Sequence, residues 1–278
     1  MLRWSINLFR VFGIQLAVHG SFLLLLAYAG VAGWQDGGGW SGAFASVLLV
    51  SLFFVCVILH ELGHALTARR FGVRVPRILL LPIGGIAEFD RIPRQPAQEL
   101  LITAAGPAVN FLLAGCLGLA AGLPPGWPLS AEFQDTVRGF AQLLMTWNLG
   151  MGLFNLLPIF PMDGGRILRA LLAVKLPYLR ATFWAALVGK VLSALLVFTL
   201  GSYVVLSWIL WHGANLAAGN YTLLILFTFI FVVGDAEYRQ VRRHEEAALA
   251  WAELSRRLAE NPSHPSERRP PLILHGPN

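Results

Sequence analysis

Long apolar stretches, separated by short segments that hold most of the charge, run through nearly the whole 278-residue chain. Six of them approach 20 residues, the length at which a helix crosses a hydrocarbon core of about 30 Å. The pattern places these spans at about Ile14 to Gly33, Phe44 to Ala68, Glu99 to Leu123, Val137 to Leu157, Ala181 to Leu210 and Asn215 to Val233. The fifth is long enough to tilt or to break near Gly201. The fold class this predicts is an α-helical polytopic membrane protein with about six transmembrane helices. No small-residue cleavage site follows the first apolar run, so the start is not expected to be a removable signal peptide.

Two regions break the pattern. From Val73 to Phe89 the chain reads VRVPRILLLPIGGIAEF, which is apolar but interrupted by Pro76, Pro82, Gly84 and Gly85. The alternation of Val73 and Val75 and the run Ile78 to Leu81 predict strands around a Gly-Gly turn. Lipid cannot satisfy the amides of such backbone, so at membrane depth it must be buried in protein or line a wet cavity. A short membrane-associated β-hairpin or a re-entrant loop lining a site is expected. The second region follows Gly234. There Ala247, Trp251, Leu254 and Leu258 recur at helical spacing among arginines and glutamates, which predicts a short amphipathic helix. From Asn261 the Pro-rich, polar composition predicts disorder. The chain therefore divides into a transmembrane core over 1–233 and a tail over 234–278.

Composition agrees with the pattern: 56% of residues are hydrophobic and 13% charged, about half the charged share of a soluble domain. The net charge of +6 does not point to nucleic acid, because the basic residues sort to one side of the spans. Arg3 and Arg10 precede the first span. Arg69, Arg70, Arg74, Arg77, Arg91 and Arg94 separate the second and third, and Arg166, Arg169, Lys175 and Arg180 separate the fourth and fifth. The opposite connections hold only Arg138. The excess of arginine and lysine on one side predicts a multi-pass protein of the cell membrane with both termini in the cytoplasm.

The chemistry concentrates in the second span, which contains ILHELGHALTARR. His60 and His64 are four residues apart, so both imidazoles leave one helix face a turn apart, as a shared zinc ion requires. Glu61 lies about 100° round the helix, a position suited to a base acting on a water beside the metal. Counting from Arg69 at the interface, His64 lies about 7 Å and His60 about 14 Å into the membrane. Ionisable groups at that depth are expensive and read as functional. Structural histidines satisfied by neighbouring carbonyls are the plain alternative. Cys56 lies one turn before His60, where a small buried packing residue is the better reading.

A catalytic zinc needs a third protein ligand and an open position. His19, Glu88, Asp90 and Glu99 are candidates, and Asp163 is better placed. It follows the fourth span in NLLPIFPMDGGRILRALL, where Pro158 and Pro161 break the helix and Gly164 and Gly165 permit close approach. On the residues alone, Asp163 can also be read as a helix cap.

The chain resembles the site-2 protease family of intramembrane zinc metalloproteases from about Phe12 to Glu237. The resemblance rests on FGIQLAVHGSFLLLL, HELGHALTARRFGV, LPIGGIAEF, QELLITAAGPAVNFLLA, NLLPIFPMDGGRILRALL and FIFVVGDAEY. It is closest to the compact bacterial and archaeal core, without a PDZ-like insert or a CBS-like pair. The resemblance implies one zinc per chain held by His60, His64 and Asp163, with Glu61 catalytic. It implies that Asn155 acts near the scissile carbonyl, where a helix-helix hydrogen bond is the other reading. It further implies that Gly84 and Gly85 belong to a loop that guides substrate. The expected activity is cleavage of membrane-spanning or membrane-inserted protein segments within the lipid bilayer, in regulated proteolysis. A membrane metal or ion transporter using the same His/Asp site is the alternative from another class, and a catalytically dead scaffold is a third.

Overall fold

The computed structural model describes residues 4–90, 93–122, 131–211, 218–234 and 236–260. The described residues form eight helices of α type: α1 (Gly20–Gly33), α2 (Gly39–Arg70), α3 (Pro96–Ala121), α4 (Ala131–Asn155), α5 (Asp163–Ala173), α6 (Tyr178–Trp211), α7 (Ala218–Val233) and α8 (Ala236–Glu260). A π-helical turn, Trp34–Gly38, joins α1 to α2 and kinks at Gly37, whose φ is 88°. The helical run reverses there: Phe22 and Phe54, far apart in sequence, meet edge to face with ring centroids 4.6 Å apart. Among the described residues, three helical stretches are long and apolar enough to cross a membrane, Gly20–Arg70, Pro96–Ala121 and Tyr178–Ser207. The chain is therefore an integral membrane protein. Of the two expectations for the fifth span, tilting or breaking near Gly201, the break does not occur: α6 continues through Gly201.

Strands account for the largest departure from expectation. Arg77–Leu81 (β3) and Gly84–Glu88 (β4) form the anticipated hairpin. They belong, however, to a four-stranded sheet with Ser5–Val11 (β1) and Ile14–His19 (β2), in the order β1-β2-β3-β4. The first apolar run was expected to be helical from Ile14, yet its first six residues are strand and the helix begins at Gly20. The physical reason is that the alternation in IQLAVH, with Ile14, Leu16 and Val18 buried on one face, lasts only six residues and runs without a break into the apolar helix that follows, so its period of two is lost in the longer apolar run. Phe12 and Gly13, with φ of 50° and 80°, make the tight two-residue reversal that a hairpin twist favours. His19 then caps α1, its Nδ1 accepting from the Ser21 amide. β2 and β3 run parallel, and the α1–α2 hairpin is the crossover that a parallel pair requires.

The sheet packs on α2 at the level of the histidines. Ile14, Leu16 and Ile78 share a buried cluster with Leu62, Ala65 and Ala68 of α2 and Ile102 of α3. Val18 and Leu80 pack with Phe22, Phe54 and Val57. This seating brings β4, at the edge of the sheet, against the face of α2 that carries Glu61. α8 is helical from Ala236, longer than the tail helix expected, and the Pro-rich end expected to be disordered lies outside the described residues.

Candidate metal centre

His60 and His64 both lie on the face of α2 that meets α3, at 3% and 7% exposure. α3 can approach because residue 106 is glycine: a Cβ there would stand 2.2 Å from His64 Nε2 and 2.8 Å from His60 Cε1. Gly106 is a site residue that sequence reading passed over, although it stands in the quoted segment AAGPAVN. The imidazole rings meet edge to face with centroids 4.7 Å apart.

Asp163 reaches the same point from the other side. After α4 ends at Asn155, the chain turns through 156–162 and α5 begins at Asp163 itself. The residue at the cap position is Met162, in an extended conformation, and no side chain caps the helix. The Asp163 carboxylate is directed at the histidines instead. Gly164 lets this turn fold tightly, since a Cβ there would lie 2.1 Å from the Leu157 carbonyl oxygen.

The three side chains converge. Asp163 Oδ2 lies 3.3 Å from His60 Nε2 and 3.2 Å from His64 Nε2, and the two Nε2 atoms are 3.1 Å apart. Each outer ring nitrogen is engaged: His64 Nδ1 is 2.7 Å from the Ile102 carbonyl oxygen, and His60 Nδ1 is 2.5 Å from Asn110 Oδ1. A carbonyl oxygen only accepts, so His64 carries its proton on Nδ1 and turns a bare Nε2 lone pair inward. Asp163 Oδ2 is buried without a hydrogen-bond partner. Electron-rich atoms crowded this closely need a cation between them, and two imidazoles with one carboxylate are the donor set of a catalytic zinc site. The residues fit one metal ion, and among the described residues this is the group of His, Cys, Asp and Glu side chains able to hold one. Cys56, though buried, is not part of it.

The other predicted site residues distribute unevenly. Glu61, next to His60 on α2, stands against β4: a Cβ on Gly85 would come 2.6 Å from Glu61 Cγ and 3.2 Å from its Oε1. Gly84 has φ of 136° with open space around it, so its requirement is conformational. Asn155 is half-buried at the end of α4. Asn110 and Asn148, both fully buried, were not singled out from sequence.

A family model described as peptidase family M50 matches residues 48–126 and 129–197. A zinc metalloprotease of Methanocaldococcus jannaschii is 37% identical over 86% of this chain and 62% of its own length. The putative zinc metalloprotease Rip3 of Mycobacterium tuberculosis is 34% identical over 70% of this chain and 51% of its own length. The chain thus spans between half and two thirds of these curated relatives. Among solved structures, the site-2 protease from Methanocaldococcus jannaschii superposes with a TM-score of 0.54 at 34% identity, over 84% of this chain and 95% of that one.

Proposed function

The chain belongs to peptidase family M50, and from that membership we propose that it is an intramembrane zinc metalloendopeptidase. His60, His64 and Asp163 hold one zinc ion, Glu61 is the acid/base group, and Asn155 stabilises the oxyanion. The observation that carries the reading is the meeting of His60 Nε2, His64 Nε2 and Asp163 Oδ2 at 3.1–3.3 Å beside Glu61. A bound zinc supplies Lewis acidity that polarises the scissile carbonyl and favours ionisation of water. Glu61 takes a proton from the attacking water on a carboxylate oxygen and delivers it to the departing amide nitrogen. The apolar walls of α2, α3 and the sheet keep bulk water away from that exchange.

The substrate is a membrane-spanning or membrane-inserted protein segment, and the setting is regulated proteolysis. A helical substrate hides its peptide carbonyls in hydrogen bonds, so it must be received as an extended strand. Among the described residues β4 pairs with β3 on one side only, and its other edge offers the backbone amides for strand addition beside Glu61. Gly84 and Gly85 keep that edge low. α1, α2, α3, α4, α6 and α7 are the six spans, and both termini face the cytoplasm together with α5 and α8.

Purified wild type and Glu61→Gln, compared on a peptide corresponding to a membrane segment, test this directly. Wild type is expected to cleave, and the variant to fall by about 10²–10⁴-fold with its zinc content unchanged. Equal cleavage by both would overturn the role of Glu61. Zinc-loaded wild type that cleaves no membrane segment would return the site to a transport reading.

A further inference from the structure

We infer that Asn148, on α4 and two hydrogen bonds away from the site, is a positioning residue that fixes which nitrogen of His60 faces the metal. The inference rests on the metal reading of His60, His64 and Asp163. It comes from following the polarity of one buried chain of hydrogen bonds.

That chain starts at a main-chain carbonyl. Asn148 Nδ2 donates to the Leu144 carbonyl oxygen at 2.8 Å, one turn back along α4. The carbonyl has no proton to offer, so the amide end of Asn148 must face it and Oδ1 must point the other way. Oδ1 then meets Asn110 at 3.0 Å, which obliges Asn110 to present its Nδ2 there. Asn110 in turn has only Oδ1 left for His60, whose Nδ1 lies 2.5 Å away. An oxygen without a proton at that contact requires the proton on His60 Nδ1, and the lone pair is left on Nε2, facing Asp163 and His64.

Each step is enforced because the alternatives are costly. Asn110 and Asn148 are fully buried, so reversing either amide would set oxygen against oxygen, or NH₂ against N–H, with no water to relieve it. His64 reaches the same tautomer by one bond to the Ile102 carbonyl. The two ligands are thus both set by main-chain carbonyls, one directly from α3 and the other from α4 through two amides. Without the relay His60 could carry its proton on Nε2, inside the site, where it would oppose a cation.

Zinc affinity measured by chelator competition on the full chain in detergent separates this device from simple helix packing. Asn148→Leu keeps the branched outline of the side chain but frees the Asn110 amide to reverse, and should weaken zinc binding by about 10–100-fold, the usual effect of losing a partner behind a ligand. Adding Asn110→Asp to that variant should restore most of the affinity, because a carboxylate accepts from Nδ1 whichever way it is turned. Unchanged affinity in Asn148→Leu would overturn the relay, as would a loss that Asn110→Asp does not rescue. Should the variants fail to fold, nitrogen-15 spectra of histidine-labelled, zinc-free wild type still decide it. His60 protonated on Nδ1 agrees, and protonation on Nε2 contradicts. Wild type that binds no zinc at all would instead refute the metal reading and leave the tautomer measurement standing.

Discussion

Two buried polar clusters sit along one short helix, and they differ in whether the chain completes them. At the start of α5, Asp163 meets two imidazoles in a group of acceptors with no donor among them. Six residues along, Arg169 is fully buried and donates through Nε and Nη2 to Glu99 of α3, at 2.8 and 2.5 Å, and through Nη1 to Glu237 of α8 at 2.8 Å. Its guanidinium also faces the rings of Phe160 and Tyr178, at 5.4 and 5.1 Å. The second cluster carries its own cation, although Glu99 Oε2 is buried without a hydrogen-bond partner. The first has a place for a cation and none of its own. A buried group whose donors and acceptors balance is structure, whereas one that lacks a charge is a site for something that brings it.

Breaking the balanced cluster should have the largest effect on stability. Arg169→Met strands two carboxylates between α3, α5 and α8, and is expected to destabilise the fold by about 3–5 kcal/mol. Thermal unfolding in detergent would show it, and a variant as stable as wild type would mean that Arg169 does not tie these helices together. The unbalanced cluster should respond in the opposite direction. In zinc-free protein, Asp163→Asn supplies a donor to the facing Nε2 lone pairs and should raise stability by about 0.5–1.5 kcal/mol, the net worth of a hydrogen bond. A fall in stability there would erase the distinction between the clusters.

Acid should touch the balanced cluster more gently. Burial opposes ionisation of Glu237, but Arg166 and Arg169 outweigh it and hold its pKa below the usual carboxylate value of 4.5. A depressed pKa contributes stability that is fully present above the ordinary value and is lost as pH falls through the folded one. Melting temperature should therefore decline below about pH 4.5, and Glu237→Gln should flatten that decline. Identical acid limbs for variant and wild type would show that Glu237 carries none of the dependence.

The convergence of His60, His64 and Asp163 was legible in sequence because its parts are dense in chemistry. Two histidines a turn apart in an apolar span, and an aspartate between a broken helix and paired glycines, stand out against such a background. The β3–β4 hairpin was legible for the same reason, through its prolines and glycines. β1 and β2 were not, because most of β1 is exposed and the alternation of β2 lasts only six residues before an apolar helix begins. Gly106, Asn110 and Asn148 were missed on other grounds. Each takes its meaning from a neighbour on a different helix, and spacing along one element carries no record of that. The same holds for Arg169, which reads as one more interfacial arginine until Glu99 and Glu237 are seen beside it.

X-ray absorption at the zinc edge of the purified protein tests the central claim most directly. Two imidazole nitrogens and carboxylate oxygen at about 2.0–2.2 Å, with no sulfur, are expected in wild type, and the imidazole signature should persist in Glu61→Gln. A sulfur shell at about 2.3 Å, or an undiminished zinc signal in a His60→Ala, His64→Ala double variant, would contradict the assignment of these histidines as the metal's ligands.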